Sequence, residues 1–124
     1  LHVTFLDIFF NKAKIGFIYD NKKIYKDFIS IKTFNEIIFQ LIKKDSSGVY
    51  NVSLGKKIYL NQIIKWLNFY NNKQLRLIKP QNTFNNDNFT LNNKKLMNKI
   101  DIKININDLK NECLVISKKI FLKK

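Results

Sequence analysis

With 124 residues, 45% of them apolar and 14% aromatic, the chain carries too much hydrophobic material for a disordered tail and enough for one core, burying roughly two-thirds of its unfolded surface. The formal net charge of +14 would ordinarily point to a polyanionic partner, but Arg76 is the single arginine and Ala13 the single alanine, and Ile, Asn and Lys crowd almost every segment. That bias is the mark of an A/T-rich coding sequence, and it makes the charge weak evidence about partners. One cysteine, Cys113, excludes an internal disulfide and suits a reduced core residue; one histidine, His2, leaves no His-rich metal site and argues against a Ser-His-Asp arrangement. No apolar run approaches the roughly 20 residues of a membrane span and no signal peptide is visible, so a soluble, cytoplasmic protein is expected.

The chain enters a hydrophobic pattern directly at Leu1, as a fragment would. Val3, Leu6, Phe9 and Phe10 recur at helical spacing and predict an amphipathic helix from residue 2 to about residue 14. After Gly16 the pattern becomes extended. Residues 15 to 19 (IGFIY) and 24 to 31 (IYKDFISI), separated by a turn-like Asp20-Asn21-Lys22-Lys23, read as a hairpin-like pair of strands. Phe34, Ile37, Ile38, Leu41 and Ile42 then place one apolar stripe along a helix that starts near Thr33 and ends near Lys43 and Lys44, where cations suit the macrodipole. Asp45-Ser46-Ser47-Gly48 stops it, and residues 49 to 52 (VYNV) read as a short buried strand.

Leu60, Ile63, Ile64 and Leu67 define the next helix with Trp66 beside them, and residues 75 to 78 (LRLI) return to strand before Lys79-Pro80. Residues 81 to 88 form an asparagine-rich loop. A short helix at about 92 to 99, an extended stretch at 100 to 106 and a last helix from about 107 to 121 complete an α/β pattern. Only three glycines occur, and none opens a Gly-rich strand-to-helix turn, so neither a dinucleotide fingerprint nor a P-loop can be built. Tyr19 and Lys23 have the Tyr-x-x-x-Lys spacing that activates a phenol, but they fall in a predicted turn, with no helix to hold the lysine one turn from the tyrosine. Trp66, Phe69 and Tyr70, imaginable as a base-stacking platform, read first as core or groove residues from their helical spacing, and the terminal Lys118, Lys119, Lys123 and Lys124 as a solvated end.

The order and spacing of three stretches, YKDFISIKTF from Tyr25, GVYNVSLG from Gly48 and KKIYLNQIIKWL from Lys56, resemble the second half of extended short-chain dehydrogenases/reductases of the NAD-dependent epimerase/dehydratase type. That family shows Arg-Asp-Phe-Ile/Val-x-Val-Asp-Asp, a helix, Gly-x-Tyr-Asn-Val-Gly/Ser-x-Gly and a Ser-Leu-initiated helix; later, LIKPQNTFNNDNFTLNNKKL stands where it has an Arg-Pro loop and a Ser-Lys-Leu helix start. The resemblance covers roughly residues 3 to 110. It implies a single partial domain over residues 1–124: a small mixed α/β substrate-binding lobe from the carboxyl-terminal portion of a Rossmann-type enzyme. The amino-terminal dinucleotide-binding half, with its NAD(P) site and catalytic Tyr-x-x-x-Lys, is then absent, and no catalytic, cofactor or metal residue is expected in this chain. Lys26 stands at the family's arginine that contacts the substrate diphosphate, keeping the charge but not the bidentate fork. Asp27 and Phe28 match directly, Lys79 stands at the Arg-Pro position, and Asn51 matches a strand asparagine that bonds structurally. The paired aspartates are replaced by Lys32 and Thr33, which removes a helix acid and leaves a possible cap at Thr33.

The implied partners are a nucleotide sugar, gripped by Lys26, Asp27 and Lys79, and a Rossmann half, or a second copy, covering the apolar face of residues 3 to 10. The rivals are a small basic nucleic-acid-binding module, which requires lysines gathered on one face where the sequence spreads them through every segment, and an inert truncated product.

Overall fold

The computed structural model describes residues 4–20, 23–79 and 88–122. Helices α1 (Phe5–Lys14), α2 (Ile31–Lys43), α3 (Leu60–Leu67), α4 (Lys94–Met97) and α5 (Ile106–Phe121) alternate with short strands β1 (Phe17–Tyr19), β2 (Tyr25–Lys26), β3 (Ile58–Tyr59) and β4 (Arg76–Ile78) in the order α1-β1-β2-α2-β3-α3-β4-α4-α5. The expected starts at residues 2 and 3, most of the asparagine-rich loop, Pro80 and the last two lysines lie outside the described residues.

The expected hairpin is not formed. β1 runs parallel to β4, Phe17 opposite Arg76 and Tyr19 opposite Ile78, whereas β2 runs antiparallel to β3, Tyr25 opposite Tyr59 and Lys26 opposite Ile58. Amide bonds from Arg76 to the Gly16 carbonyl (3.0 Å) and from Asp20 to the Ile78 carbonyl (2.8 Å) extend the parallel ladder. Alternation in a sequence marks a strand without naming its partner. The expected strand at 49–52 is also absent: Val49 is 83% exposed and the segment is irregular. Side chains take the place of a ladder there, Asn51 donating to the Asn92 carbonyl (2.9 Å) and Lys95 to the Val49 carbonyl (2.8 Å).

The main core joins Phe9, Phe10 and Ala13 of α1, Leu54, Ile58, Ile63, Ile64 and Leu67 around α3, and Leu109 and Cys113 of α5. A second cluster centres on Ile37, Leu96 and Ile100, with Tyr50 and Val52 against it. Burial of each such aliphatic side chain contributes roughly 1.5–3 kcal/mol before entropy is counted. Trp66 packs against the main cluster, as its spacing indicates, while Phe69 is exposed.

Helix ends carry contacts that the sequence reading did not supply. A capping box, Thr4 with Asp7, opens α1. Ser30, not Thr33, caps α2: its hydroxyl accepts from the Thr33 amide (3.0 Å) and donates to the Thr33 hydroxyl (2.8 Å). The carboxylates come from another helix. Both oxygens of Glu112 on α5 accept from the Ile31 amide (3.0 and 3.2 Å), and Asp108 accepts from the Thr33 hydroxyl (3.4 Å) and faces Lys32 at 3.9 Å. Negative charge at the amino end of α2 is thus supplied across the fold by α5. At the other end Asp45 adopts a left-handed φ of 47° and the Ser46 amide donates back to the Leu41 carbonyl (3.0 Å), a Schellman-type stop.

Burial pushes the Cys113 thiol up to about 11 from 9.0, with the Glu112 charge adding to it. The unfolded chain therefore releases this proton first. Its contribution to stability is complete below pH 9 and is lost as pH rises towards 11. Urea unfolding at about pH 8 and about pH 10 is expected to show a larger drop in stability for the wild type than for a Cys113→Ala variant. An equal drop in both proteins would refute the assignment.

Candidate functional site

Three segments far apart in sequence converge beside β2: the strand itself, the loop 49–57 leading to β3, and residues 88–95 leading into α4. Asp27 is the knot. Its Oδ1 accepts from the Leu54 amide (2.9 Å), and its Oδ2 from the amides of Gly55 (3.0 Å) and Leu91 (3.1 Å). Backbone donors converging on one carboxylate make a charge-assisted clamp stronger than bonds between neutral groups.

Asparagines complete the seam. Asn88 accepts from the Tyr25 amide (3.1 Å) and donates to the Lys23 carbonyl (3.0 Å), and Asn93 donates to the Ser53 carbonyl (2.9 Å). Gly55 has a φ of +70° and lies so close to Asn93 that a Cβ there would sit 2.8 Å from its amide atoms. The chain approaches itself here as only glycine allows.

Lys26, half-buried on β2, places its ammonium 4.9 Å from the centroid of the Phe89 ring. Lys57 stands 4.8 Å over the Tyr25 ring, which meets Tyr59 edge-on at 5.7 Å, and Lys95 stands 4.6 Å over Tyr50. Cations are held against ring faces by the quadrupole. Phe28, adjacent to the clamp, packs into the main core. Lys79 is exposed, one residue beyond β4, and so belongs to the other sheet from Lys26.

Of the three residues singled out from sequence, the structure brings Lys26 and Asp27 into the seam and leaves Lys79 outside it. Sequence reading missed Asn88 and Asn93, which were assigned to a loop and to a helix start, because side-chain bonding to a distant backbone leaves no periodic trace. Tyr19 ends a strand and Lys23 lies in a turn, so the Tyr-x-x-x-Lys spacing is not helical. Among the described residues no three metal-ligating side chains come together. Two open depressions lie elsewhere, one of about 250 Å³ between Lys14, Asn71, Lys73 and Phe121 and one of about 370 Å³ along Ile38, Leu41 and Ile42. No helix among the described residues is long and apolar enough to cross a membrane.

This arrangement is a small mixed α/β unit with the fold of part of the extended short-chain dehydrogenase/reductase enzymes. It matches UDP-N-acetylglucosamine 4-epimerase from Methanobrevibacter ruminantium M1, solved in complex with UDP-N-acetylmuramic acid, with a TM-score of 0.69 and 16% identity over 94% of this chain. It also matches RMD from Pseudomonas aeruginosa, solved with NADPH, with a TM-score of 0.71 and 16% identity over 93% of this chain. In both cases the chain spans 39% of the length of the enzyme it matches. No family model matches the sequence, and no curated protein does.

Proposed function

We propose that this chain is the carboxyl-terminal, substrate-gripping lobe of a nucleotide-sugar epimerase, dehydratase or reductase, with Lys26 as the cation that faces the sugar diphosphate. The observation that carries this reading is the Asp27 clamp, which fixes the backbone of three segments around the half-buried Lys26, in a fold shared with two enzymes of that class. A cation held in place by its surroundings orients a diphosphate at lower entropic cost than a mobile surface lysine. Asp27 is then a positioning residue, its oxygens occupied by amides. Lys79, beyond β4, reaches the nucleotide from the second sheet.

A dinucleotide cofactor does not fit the residues present. Gly16, Gly48 and Gly55 sit at three separate turns, and none begins a helix after a strand. NAD(P) belongs, on this reading, to a Rossmann half outside the chain. The exposed apolar residues of α1, Phe5, Leu6 and Ile8, are the surface that half would cover, with a second copy of the chain as the alternative occupant.

The test is titration of the chain with UDP-N-acetylglucosamine, followed by amide shifts in NMR spectra. Lys26→Ala is expected to weaken binding about tenfold, as loss of a charge-assisted contact does, and Lys26→Arg to retain or improve it. Equal binding by the wild type and Lys26→Ala, with shifts remote from the seam, would refute the assignment.

A further inference from the structure

We propose that Phe89 is the positioning residue of the diphosphate site, its ring holding the Lys26 ammonium in place without neutralising it, a role that rests on the sugar-nucleotide reading above. Lys26 lies opposite Ile58 in the β2–β3 register, and directly paired residues share one face of a sheet. Ile58 is 1% exposed and belongs to the main core, so the aliphatic stem of the half-buried Lys26 lies on the core side and its charged head has to emerge at an edge. There it meets Phe89, with the ammonium 4.9 Å from the ring centroid. The neighbouring pair, Tyr25 and Tyr59, occupies the other face.

The ring has a fixed place. Asn88, directly before it, accepts from the Tyr25 amide (3.1 Å) and donates to the Lys23 carbonyl (3.0 Å), and two residues after it the Leu91 amide donates to Asp27 (3.1 Å). Phe89 is thus tied on both sides to residues that flank Lys26, and at 44% exposed it stands at the surface, where an anion arrives. A ring face attracts a cation through its quadrupole and carries no net charge, so the ring leaves the lysine's charge available to a phosphate. A carboxylate does the opposite: Asp101, 2.7 Å from the Lys44 ammonium, offsets the charge it holds. Restricting a rotamer-rich side chain before the ligand arrives removes part of the ordering cost of binding.

The test is a double-variant cycle on the whole chain, with UDP-N-acetylglucosamine as the probe and NMR shifts as the readout. Phe89→Leu, checked for folding by circular dichroism, is expected to weaken binding about threefold, and Phe89→Trp, whose ring face attracts a cation more strongly, to retain or improve it. In a Lys26→Ala background Phe89→Leu should have no further effect, because the ring acts through the ammonium. The ring current should also hold the ε-methylene protons of Lys26 upfield of those of the exposed Lys118, and Phe89→Leu should abolish that displacement. Unchanged or tighter binding by Phe89→Leu, an equal loss in the Lys26→Ala background, or Lys26 protons resonating with those of Lys118 would each overturn the proposal. A loss in Lys26→Ala with none in Phe89→Leu removes the positioning role alone, whereas indifference to Lys26→Ala removes the sugar-nucleotide reading and this role with it.

Discussion

Asp27→Asn is expected to lower the unfolding free energy by about 3 kcal/mol, a large share of what a chain of this size possesses. The carboxylate accepts from Leu54, Gly55 and Leu91 at 2.9 to 3.1 Å, and Leu54 is a buried core residue. Asparagine has the same shape but offers one acceptor oxygen and turns an NH2 towards amides that also donate. At least one amide then loses its acceptor, and the remaining bonds lose their charge assistance. Urea unfolding measures the loss. Hydrogen exchange locates it: the Leu54, Gly55 and Leu91 amides should lose protection together, while the α5 amides follow global stability alone. A loss below about 0.5 kcal/mol would mean that water replaces the clamp without cost.

Gly55→Ala is expected to cost about 2 kcal/mol, from two sources that can be separated. A φ of +70° is strained for any residue with a Cβ, at roughly 1 kcal/mol or somewhat more. The new Cβ also lies 2.8 Å from the Asn93 amide, which must give up its bond to the Ser53 carbonyl, worth about 1 kcal/mol. Asn93→Ala removes that bond by itself and clears the space. The double variant should therefore lose less than the sum of the single variants, by about 1 kcal/mol, and retain the backbone strain. Strict additivity would show that the side chain moves aside freely.

The resemblance read in YKDFISIKTF, GVYNVSLG and KKIYLNQIIKWL agrees with the structural match to a UDP-N-acetylglucosamine 4-epimerase and to RMD, although no family model recognises the sequence. Several residues that carry the resemblance sit where backbone geometry demands them. Asp27 is held by three amides, and Gly48 and Gly55 occupy positive φ. Lys32 and Thr33 bring no carboxylate to the start of α2, and Asp108 and Glu112 of α5 supply it there from a distance.

What the sequence determined by itself was local: the apolar stripes of α1, α2, α3 and α5, the stop at Asp45 to Gly48, and the lack of a Gly-rich cofactor turn. Each rests on contacts or dihedral preferences within a few residues, so the pattern and its cause lie together in the chain. The tertiary structure alone decided that β1 pairs with β4 and β2 with β3, that residues 49–52 are held by side chains instead of a ladder, that Glu112 serves the start of α2, and that Asp27 ties Leu54, Gly55 and Leu91 together. Those outcomes depend on partners some 30 to 80 residues away in the chain, and the free energy that selects them comes from burying surfaces and satisfying amides that are not neighbours until the chain has folded.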